Sequence, residues 1–398
     1  MRTVEIKPNI HWVGVNDTEK DLFEGLWPIK EEGISYNSYL IKDDKTALID
    51  LASEQSEKDY LAQLNQVCDV SKLDYLIINH MEPDHSGLLL KLLELAPQIT
   101  LVGTEKAAGM LNAFYGITDN IKIVEHQETL SLGDHQLHFT LAPMVHWPET
   151  MLTYEMKEKI LFSCDAFGSY GLLEESIFDD GYDELSFYTR EALRYYANII
   201  ASYSKPVLNA IKKLEGVEIK IVAPSHGLVW RKDPGEIIGL YQKWANHAAD
   251  GGEAGVTILY GSMYGNSRKM VDAFEKGLKA SEARLPYQIF DVSRTHASYI
   301  LPWIWSMKGV AVAAPTYDGG ILPSMAHILT LAGKKRMNKK SCVRFGSYAW
   351  GGGANKAFEQ LNESLKWNVI DSVDFRGRPS AEDLQKAEAL GRNMAENL

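Results

Sequence analysis

Short apolar runs broken by polar turns dominate the first part of the chain. SYNSYLI, KTALIDL, DYLIIN, ITLVGT, HFTLAP, MLTYEM and KILFSCD each have the length and the β-branched or aromatic content of a strand. Helical spacing falls between them at about 56–67 and 86–95 and over a longer stretch at 184–214, after which IKIVAPSHG returns to a strand pattern. Strand runs with helices interspersed predict sheets covered on the outside by helices. The texture changes at NHAADGGEAG (246–255), an Ala/Gly/Asp stretch that reads as a linker. Beyond it five apolar runs, VTILY, YQIFDV, GVAVAAP, SCVRFGS and WNVIDSVDF, alternate with helical stretches. The first of these helices carries Met270, Phe274 and Leu278 on one face. That rhythm predicts a doubly wound, five-stranded parallel sheet, which binds ligands beyond the C-terminal ends of its strands. The chain of 398 residues is therefore read as two domains, 1–250 and 251–398.

Composition narrows the class. A net charge of −12 with no basic run speaks against nucleic acid or an anionic membrane as partner. The most apolar segment, YILPWIWSMKGVAVAAP, is interrupted by Pro302, Ser306, Lys308 and Gly309, so a helix end followed by a buried strand is expected rather than a membrane span. The opening MRTVEIKPNI has no apolar stretch of the kind a secretion signal needs. Three cysteines far apart (Cys68, Cys164, Cys342) speak against a disulfide framework, a zinc ribbon or a four-thiolate metal site. A cytoplasmic location is the expectation.

Candidate chemistry begins after the apolar run DYLIIN, at NHMEPDHSG, where His80, Glu82, Asp84 and His85 lie within six residues. In an extended loop the first three alternate, and His85 follows at once, so the four can fan out to two neighbouring ions. A polar loop capping the next helix through Asp84 or Ser86 is the plainer reading of any one of them. His146 in APMVHWPET, Asp165 in LFSCDAFG and His226 in VAPSHGLVW also follow apolar runs, and strand ends on one rim of a sandwich converge.

This arrangement resembles the metallo-β-lactamase fold, an αββα sandwich whose metal loop usually reads His-x-His-x-Asp-His. Here Glu82 replaces the second His. His-x-Glu-x-Asp-His with His146, Asp165 and His226, together with phrases such as HWP and SHGLVWRKDPG, is similar to the flavodiiron proteins over essentially the whole chain. The resemblance implies two irons, one held by His80, Glu82 and His146, the other by Asp84, His85 and His226, with Asp165 bridging. In parts of that family the residue matching His85 does not bind metal. A carboxylate in place of imidazole adds charge and hard oxygen, which suits ions that cycle between ferrous and ferric.

In the second half, ILYGSMYGNSRKM puts Ser262-Met263-Tyr264-Gly265-Asn266-Ser267 between the first strand and its helix. A small, hydroxyl-rich turn at a helix N-terminus offers N–H groups to a phosphate. The absence of Gly-x-x-x-x-Gly-Lys and of Gly-x-Gly-x-x-Gly points to a monophosphate, as in FMN. Two more loops follow strands three and four. The first contains Pro315, Thr316, Tyr317, Asp318, Gly319 and Gly320, and the second Ser347, Tyr348, Ala349, Trp350, Gly351, Gly352 and Gly353. Their glycines and aromatics suit a flat ring. The three loops resemble those of flavodoxin around FMN, except that Tyr264 stands where flavodoxins commonly have a second Thr.

A flavin and two redox ions store four electrons, enough to take dioxygen to two waters; two electrons suffice to couple two nitric oxides into nitrous oxide and water. The flavodiiron resemblance implies this activity. It also implies a head-to-tail homodimer, or a tetramer of such pairs, in which each flavin lies beside the partner's irons, and an external donor such as rubredoxin or its reductase. The principal alternative is a dizinc hydrolase with a regulatory flavodoxin module. Dioxygen and nitric oxide are similar in size and both apolar, and the sequence does not separate them.

Overall fold

Among residues 2–398, which the computed structural model describes, the apolar runs of the first half become the strands of two sheets. One sheet has seven strands in the order Val4–Lys7, Ile10–Trp12, Tyr39–Ile41, Ala47–Ile49, Tyr75–Ile77, Thr100–Gly103 and Ile121–Ile123. The first four pair antiparallel, and from Ala47–Ile49 onward the pairing is parallel. The second sheet has five, Thr129–Ser131, Gln136–Leu141, Met151–Glu155, Ile160–Cys164 and Ile221–Pro224, of which the last pair is parallel. Central strands of both sheets are buried throughout, which requires cover on both faces. Tyr39 of the first sheet stands 5.0 Å, centroid to centroid, from Phe162 of the second, and its hydroxyl donates to Pro224 O. These strands and the helices around them lie in one compact unit, Met1–Gln242.

Two helices differ from the reading by periodicity. The stretch expected to be one long helix over 184–214 is broken into Ser186–Tyr195, a π-helical turn at Tyr196–Ile200, a 3-10 turn at Ala201–Tyr203 and Ser204–Lys213. Nor is the metal loop extended throughout. Pro83 opens a one-turn helix, Pro83–Ser86, with Glu82 rather than Asp84 or Ser86 in the N-cap position and no side-chain capping bond.

The second unit, Lys243–Leu398, contains the five-stranded parallel sheet. Its order is Tyr287–Asp291, Glu253–Tyr260, Met307–Tyr317, Ser341–Tyr348, Asn368–Arg376, the second strand in sequence lying outside the first. Met270, Phe274 and Leu278 do bury together, against Val256, Ile258, Val343 and Phe345. Their helix, Asn266–Ala280, packs closely on Ala381–Asn397. A Cβ at Gly391 would lie 3.0 Å from both Leu278 N and Phe274 C, and one at Gly277 2.9 Å from Arg392 N. The linker expected over 246–255 is shorter than its composition suggests. Helix Pro234–Asp250 runs through its Ala-rich start, a strand begins at Glu253, and Gly251 and Gly252, with φ of +84° and +103°, make the break. The apolar segment near 300 is the helix Ala297–Ser306 followed by the strand Met307–Tyr317, and no helix among the described residues is long and apolar enough to cross a membrane.

Candidate metal centre

Strand ends and one bulge bring the seven side chains together. The first ligand loop leaves Tyr75–Ile77 through Asn79, whose N–H and Nδ2 donate to buried Asp50 at 2.8 and 3.1 Å, while Thr153 Oγ1 donates to Asn79 Oδ1. Asp165 follows Ile160–Cys164 directly. The register against Ile221–Pro224 slips between Phe162 and Cys164, and Cys164 has φ of +51°, so the chain turns Asp165 inward. His226 leaves Ile221–Pro224 on a loop that Asn37 Nδ2 holds by donating to Pro224 O and Gly227 O at 2.9 and 2.8 Å. His146 lies further from its strand, in the connection to Met151–Glu155.

The geometry sorts the seven into two groups around one carboxylate. Asp165 Oδ2 lies 3.0 Å from His146 Nε2 and 3.4 Å from His80 Nε2, whereas Oδ1 lies 2.9 Å from His85 Nε2 and 3.4 Å from His226 Nε2. Glu82 Oε2 completes the first group, 3.3 and 3.1 Å from His80 and His146. Asp84 Oδ2 completes the second, 3.3 Å from each of His85 and His226. Separations of this size are the edges of a coordination polyhedron whose bonds are about 2.1 Å. The fit to a cation goes beyond spacing. Both Asp84 oxygens, His85 Nε2 and His226 Nε2 are buried with no hydrogen-bond partner, although they lie within ion-pair distance of one another. The ligand atoms of these three residues all lie within 4.8 Å of one another, a span that one ion can bridge.

Charge behaves accordingly. Burial alone would lower the histidines, but carboxylates outweigh it. His146 is held up at about 9 by Asp165 and Glu82, His226 at about 10 by Asp165 and Asp84, and His80 well above its ordinary value by Glu149 and Glu82. Burial would likewise raise Glu82, yet His146 and His80 hold it down at about 2. Without metal, protons on imidazole supply the positive charge that these carboxylates demand.

Residues that the sequence reading passed over surround this cluster. Glu149 and the Ser35 carbonyl accept from the outer nitrogens of His80 and His226 at 2.6 and 2.8 Å. Phe23, Tyr36 and Tyr195 pack their rings 5.6–5.7 Å from His226, and the buried Tyr195 hydroxyl has no hydrogen-bond partner. An open cleft of about 650 Å³ reaches Asp84 between Lys20, Ser53, Phe114 and Tyr115. HWPET carried a carboxylate three residues beyond His146, a signal for Glu149 that residue spacing alone does not interpret.

In the second unit the three expected loops lie at the C-terminal ends of successive strands. The helix Asn266–Ala280 begins at Gly265, with φ of +83°, and has no side-chain cap. Ser262 Oγ is engaged within the turn, accepting from Gly265 N at 2.9 Å, while Ser267 Oγ is buried without a partner. Uncapped amides and an unpartnered hydroxyl fit a phosphate. Pro315–Gly320 is a tight hairpin, not a floppy loop. Asp318 and Gly319, with φ of +46° and +75°, make its two-residue turn between the paired Tyr317 and Gly320. Thr316 Oγ1 accepts from Ala354 N at 3.3 Å and so joins this hairpin to the Ser347–Gly353 loop, whose Ala349 O accepts from Arg376 Nε. Met263, Tyr264, Tyr317 and Trp350 stand out from these loops, Tyr264 and Trp350 about nine-tenths exposed at 88 and 93%. Tyr348 is half-buried, Pro315 and Ser347 are buried, and Gly351 and Gly352 have open space around them.

Comparison with known proteins covers both units. Residues 34–227 match the ODP family beta lactamase and residues 258–391 match flavodoxin. A nitric oxide reductase of Moorella thermoacetica is 37% identical over 99% of this chain and 98% of its own. The anaerobic nitric oxide reductase flavorubredoxin of Salmonella typhi is 34% identical over 99% of this chain and 82% of its own. Among solved structures, the rubredoxin oxygen:oxidoreductase of Desulfovibrio gigas superposes with a TM-score of 0.93 at 27% identity, covering 100% of this chain and 98% of that one. The flavodiiron protein from Giardia intestinalis gives 0.93 at 28%, covering 100 and 96%.

Proposed function

The chain belongs to the flavodiiron proteins, and we propose that it is an oxidoreductase reducing nitric oxide to nitrous oxide, or dioxygen to water, at a pair of irons, with electrons delivered through FMN. The observation that carries this reading is the partition of six side chains about the two oxygens of Asp165. On this reading His80, Glu82 and His146 would hold one ion, Asp84, His85 and His226 the other, and Asp165 both. His85 is included because its Nε2 faces Asp165 and Asp84 with no hydrogen-bond partner. When bound, the irons and the FMN supply the electrons and the Lewis acidity that the reaction needs.

The protein's own residues supply position, protons and exclusion of water. Asp165, with one oxygen turned to each group of ligands, would hold the two ions close enough for a small diatomic, or two, to be accommodated between them. The cleft beside Asp84 is the entry we propose, with Lys20 at its wall donating to the Tyr36 hydroxyl at 3.0 Å. Tyr195, kept protonated by burial and by the nearby carboxylates, holds an O–H beside His226 that no protein group accepts. It is available to an oxygen atom of substrate or product. Phosphate, ribityl chain and ring of FMN are assigned to the Ser262–Ser267, Pro315–Gly320 and Ser347–Gly353 loops. Exposed Tyr264 and Trp350 on those loops favour a head-to-tail homodimer in which a second copy covers them. An external donor such as rubredoxin, in the cytoplasm, completes the proposal.

The test is anaerobic stopped-flow of iron-loaded, fully reduced protein mixed separately with nitric oxide and with dioxygen, with iron and FMN measured on the same sample. The expected outcome is two irons and one FMN per chain and rapid flavin reoxidation by at least one gas. Zinc alone, with a flavin that neither gas reoxidises at a catalytic rate, would favour the dizinc hydrolase. Sedimentation velocity tests the dimer, which a monomer at micromolar concentration contradicts.

A further inference from the structure

We propose that Glu149 is a positioning residue that makes the two ions unequal, so that the ion held by His80, Glu82 and His146 is the first to lose an electron. The inference rests on the flavodiiron reading and adds a residue outside the seven. His80 Nε2 faces Glu82 and Asp165, so with an ion at Nε2 the ring's proton would sit on Nδ1 and be donated to Glu149 Oε1, 2.6 Å away, both side chains being out of solvent. That is at the short end for a charge-assisted bond. The same oxygen accepts from Met81 N at 3.0 Å, and Glu149 O accepts from Thr104 Oγ1 at 3.0 Å. Glu149 is thus tied to the metal loop through its carboxylate and to the turn after Thr100–Gly103 through its backbone carbonyl. Its second oxygen is buried and unpartnered, which leaves the imidazole of His80 to answer its charge.

The other ion has no such support. His226 donates to a neutral carbonyl, Ser35 O, and His85 Nδ1 is buried without a partner. The inner sets are otherwise alike: two imidazoles, one terminal carboxylate and one oxygen of Asp165 on each side. The difference therefore lies one shell further out. A carboxylate that accepts from a ligand imidazole gives the ring more anionic character and makes Nε2 a stronger donor. A stronger donor favours the higher charge of the metal. One-electron oxidation of the diferrous pair by ferricyanide, which becomes ferrocyanide, should then leave the ferric ion on the His80 side.

The experiment compares wild type with Glu149→Gln, which keeps an oxygen for the His80 and Met81 N–H groups and removes the charge. Both are loaded with iron-57 and examined by Mössbauer spectroscopy and redox titration, with iron and FMN contents measured alongside. We expect two ferrous doublets, of which the substitution moves one. We also expect that same doublet to disappear first when the wild type is half-oxidised, and a higher first oxidation potential in the variant. Glu149→Ala should weaken iron retention against a chelator about tenfold to a hundredfold on that side alone. A fully loaded glutamine variant with unchanged spectra and potential, or one in which both doublets move alike, overturns the inference. Failure of the wild type to bind two irons refutes the flavodiiron reading instead. Should Glu149→Gln not fold, Glu149→Asp, with the charge drawn back by one methylene, carries the same test with a smaller shift.

Discussion

Gly351, Gly352 and Gly353 are equivalent in sequence, yet the structure assigns them different tolerances, and substituting each by alanine tests that difference. A Cβ at Gly353 would fall 2.5 Å from the carbonyl carbon of Gly319 and 3.1 Å from its Cα, whereas Gly351 and Gly352 have nothing within 4 Å. The Gly319 carbonyl oxygen stands nearer still, and ordinary contact begins near 3.4 Å, so the two loops must part by at least about 0.9 Å before alanine fits. Neither side yields easily. The obstacle is backbone, the Asp318–Gly319 turn is set by two positive φ angles, and Thr316 ties the loops together. Overpacking of this kind costs about 1–3 kcal/mol. Gly353→Ala should therefore lower the stability of the FMN-free protein by that amount in chemical denaturation. It should also weaken FMN binding about five- to 150-fold in a fluorescence-quenching titration, if the loss falls on the cradle. Gly351→Ala should leave the FMN-free protein unchanged. Equal unfolding curves for the two variants would refute the claim that Gly353 is there for the protein's own loop contact.

Three further outcomes are expected. Asp165→Ala, which removes the carboxylate that on the proposed reading gives one oxygen to each ion, should lower iron content and abolish gas reduction while FMN stays bound; an active, iron-replete variant contradicts the bridge. Lys340→Met removes an ammonium that burial pushes down to about 7 although Gly251 O and Trp305 O accept from it. Above that pH the folded chain holds a neutral amine while the unfolded chain, with a pKa near 10.5, still binds the proton, so wild-type stability rises with pH. The advantage of wild type over the Met variant should grow by up to about 1.4 kcal/mol per unit between pH 7 and 9 in urea unfolding, and a constant difference would mean the charge is retained. Gly391→Ala drives a methyl against the Phe274 carbonyl oxygen and to 3.0 Å from Leu278 N, and should destabilise the second unit by at least about 1–3 kcal/mol without altering iron content.

What the chain disclosed in advance follows from where its candidate ligands lie. Asp165 and His226 sit at or just past apolar strand ends, so periodicity marked them, and alternation of strands and helices was enough for the second sheet. The π turn at Tyr196–Ile200 was hidden because 184–201 contains no Gly or Pro to signal a break. The short helix at Pro83 did have a local signal, proline at a first helical position, which the alternation of His80, Glu82 and Asp84 outweighed in the reading. Glu149 and Ser35 were beyond reach for a different reason. They meet His80 and His226 across 69 and 191 residues, and one of the two acceptors is a backbone carbonyl, which no residue type encodes.

Charge explains why these outlying groups bear on the chemistry. A hydrolytic pair of divalent ions keeps its charge through turnover, whereas a redox pair gains two positive charges when both ions go from ferrous to ferric. Two ferrous ions carry four positive charges, and Glu82, Asp84, Asp165 and Glu149 carry four negative ones within direct reach of the imidazoles. The reduced pair is then close to neutral in a site that burial makes intolerant of net charge. With imidazole at position 82 and no carboxylate at 149 the same pair would carry two charges in excess, and oxidation would begin from a worse position. Both carboxylates act on the His80 side, while the Asp84 side has only its own carboxylate and a half share of Asp165. The replacement that distinguishes this metal loop brings the His80 side level with the Asp84 side, and on our proposal the glutamate buried behind it is what tips the balance toward losing an electron there first.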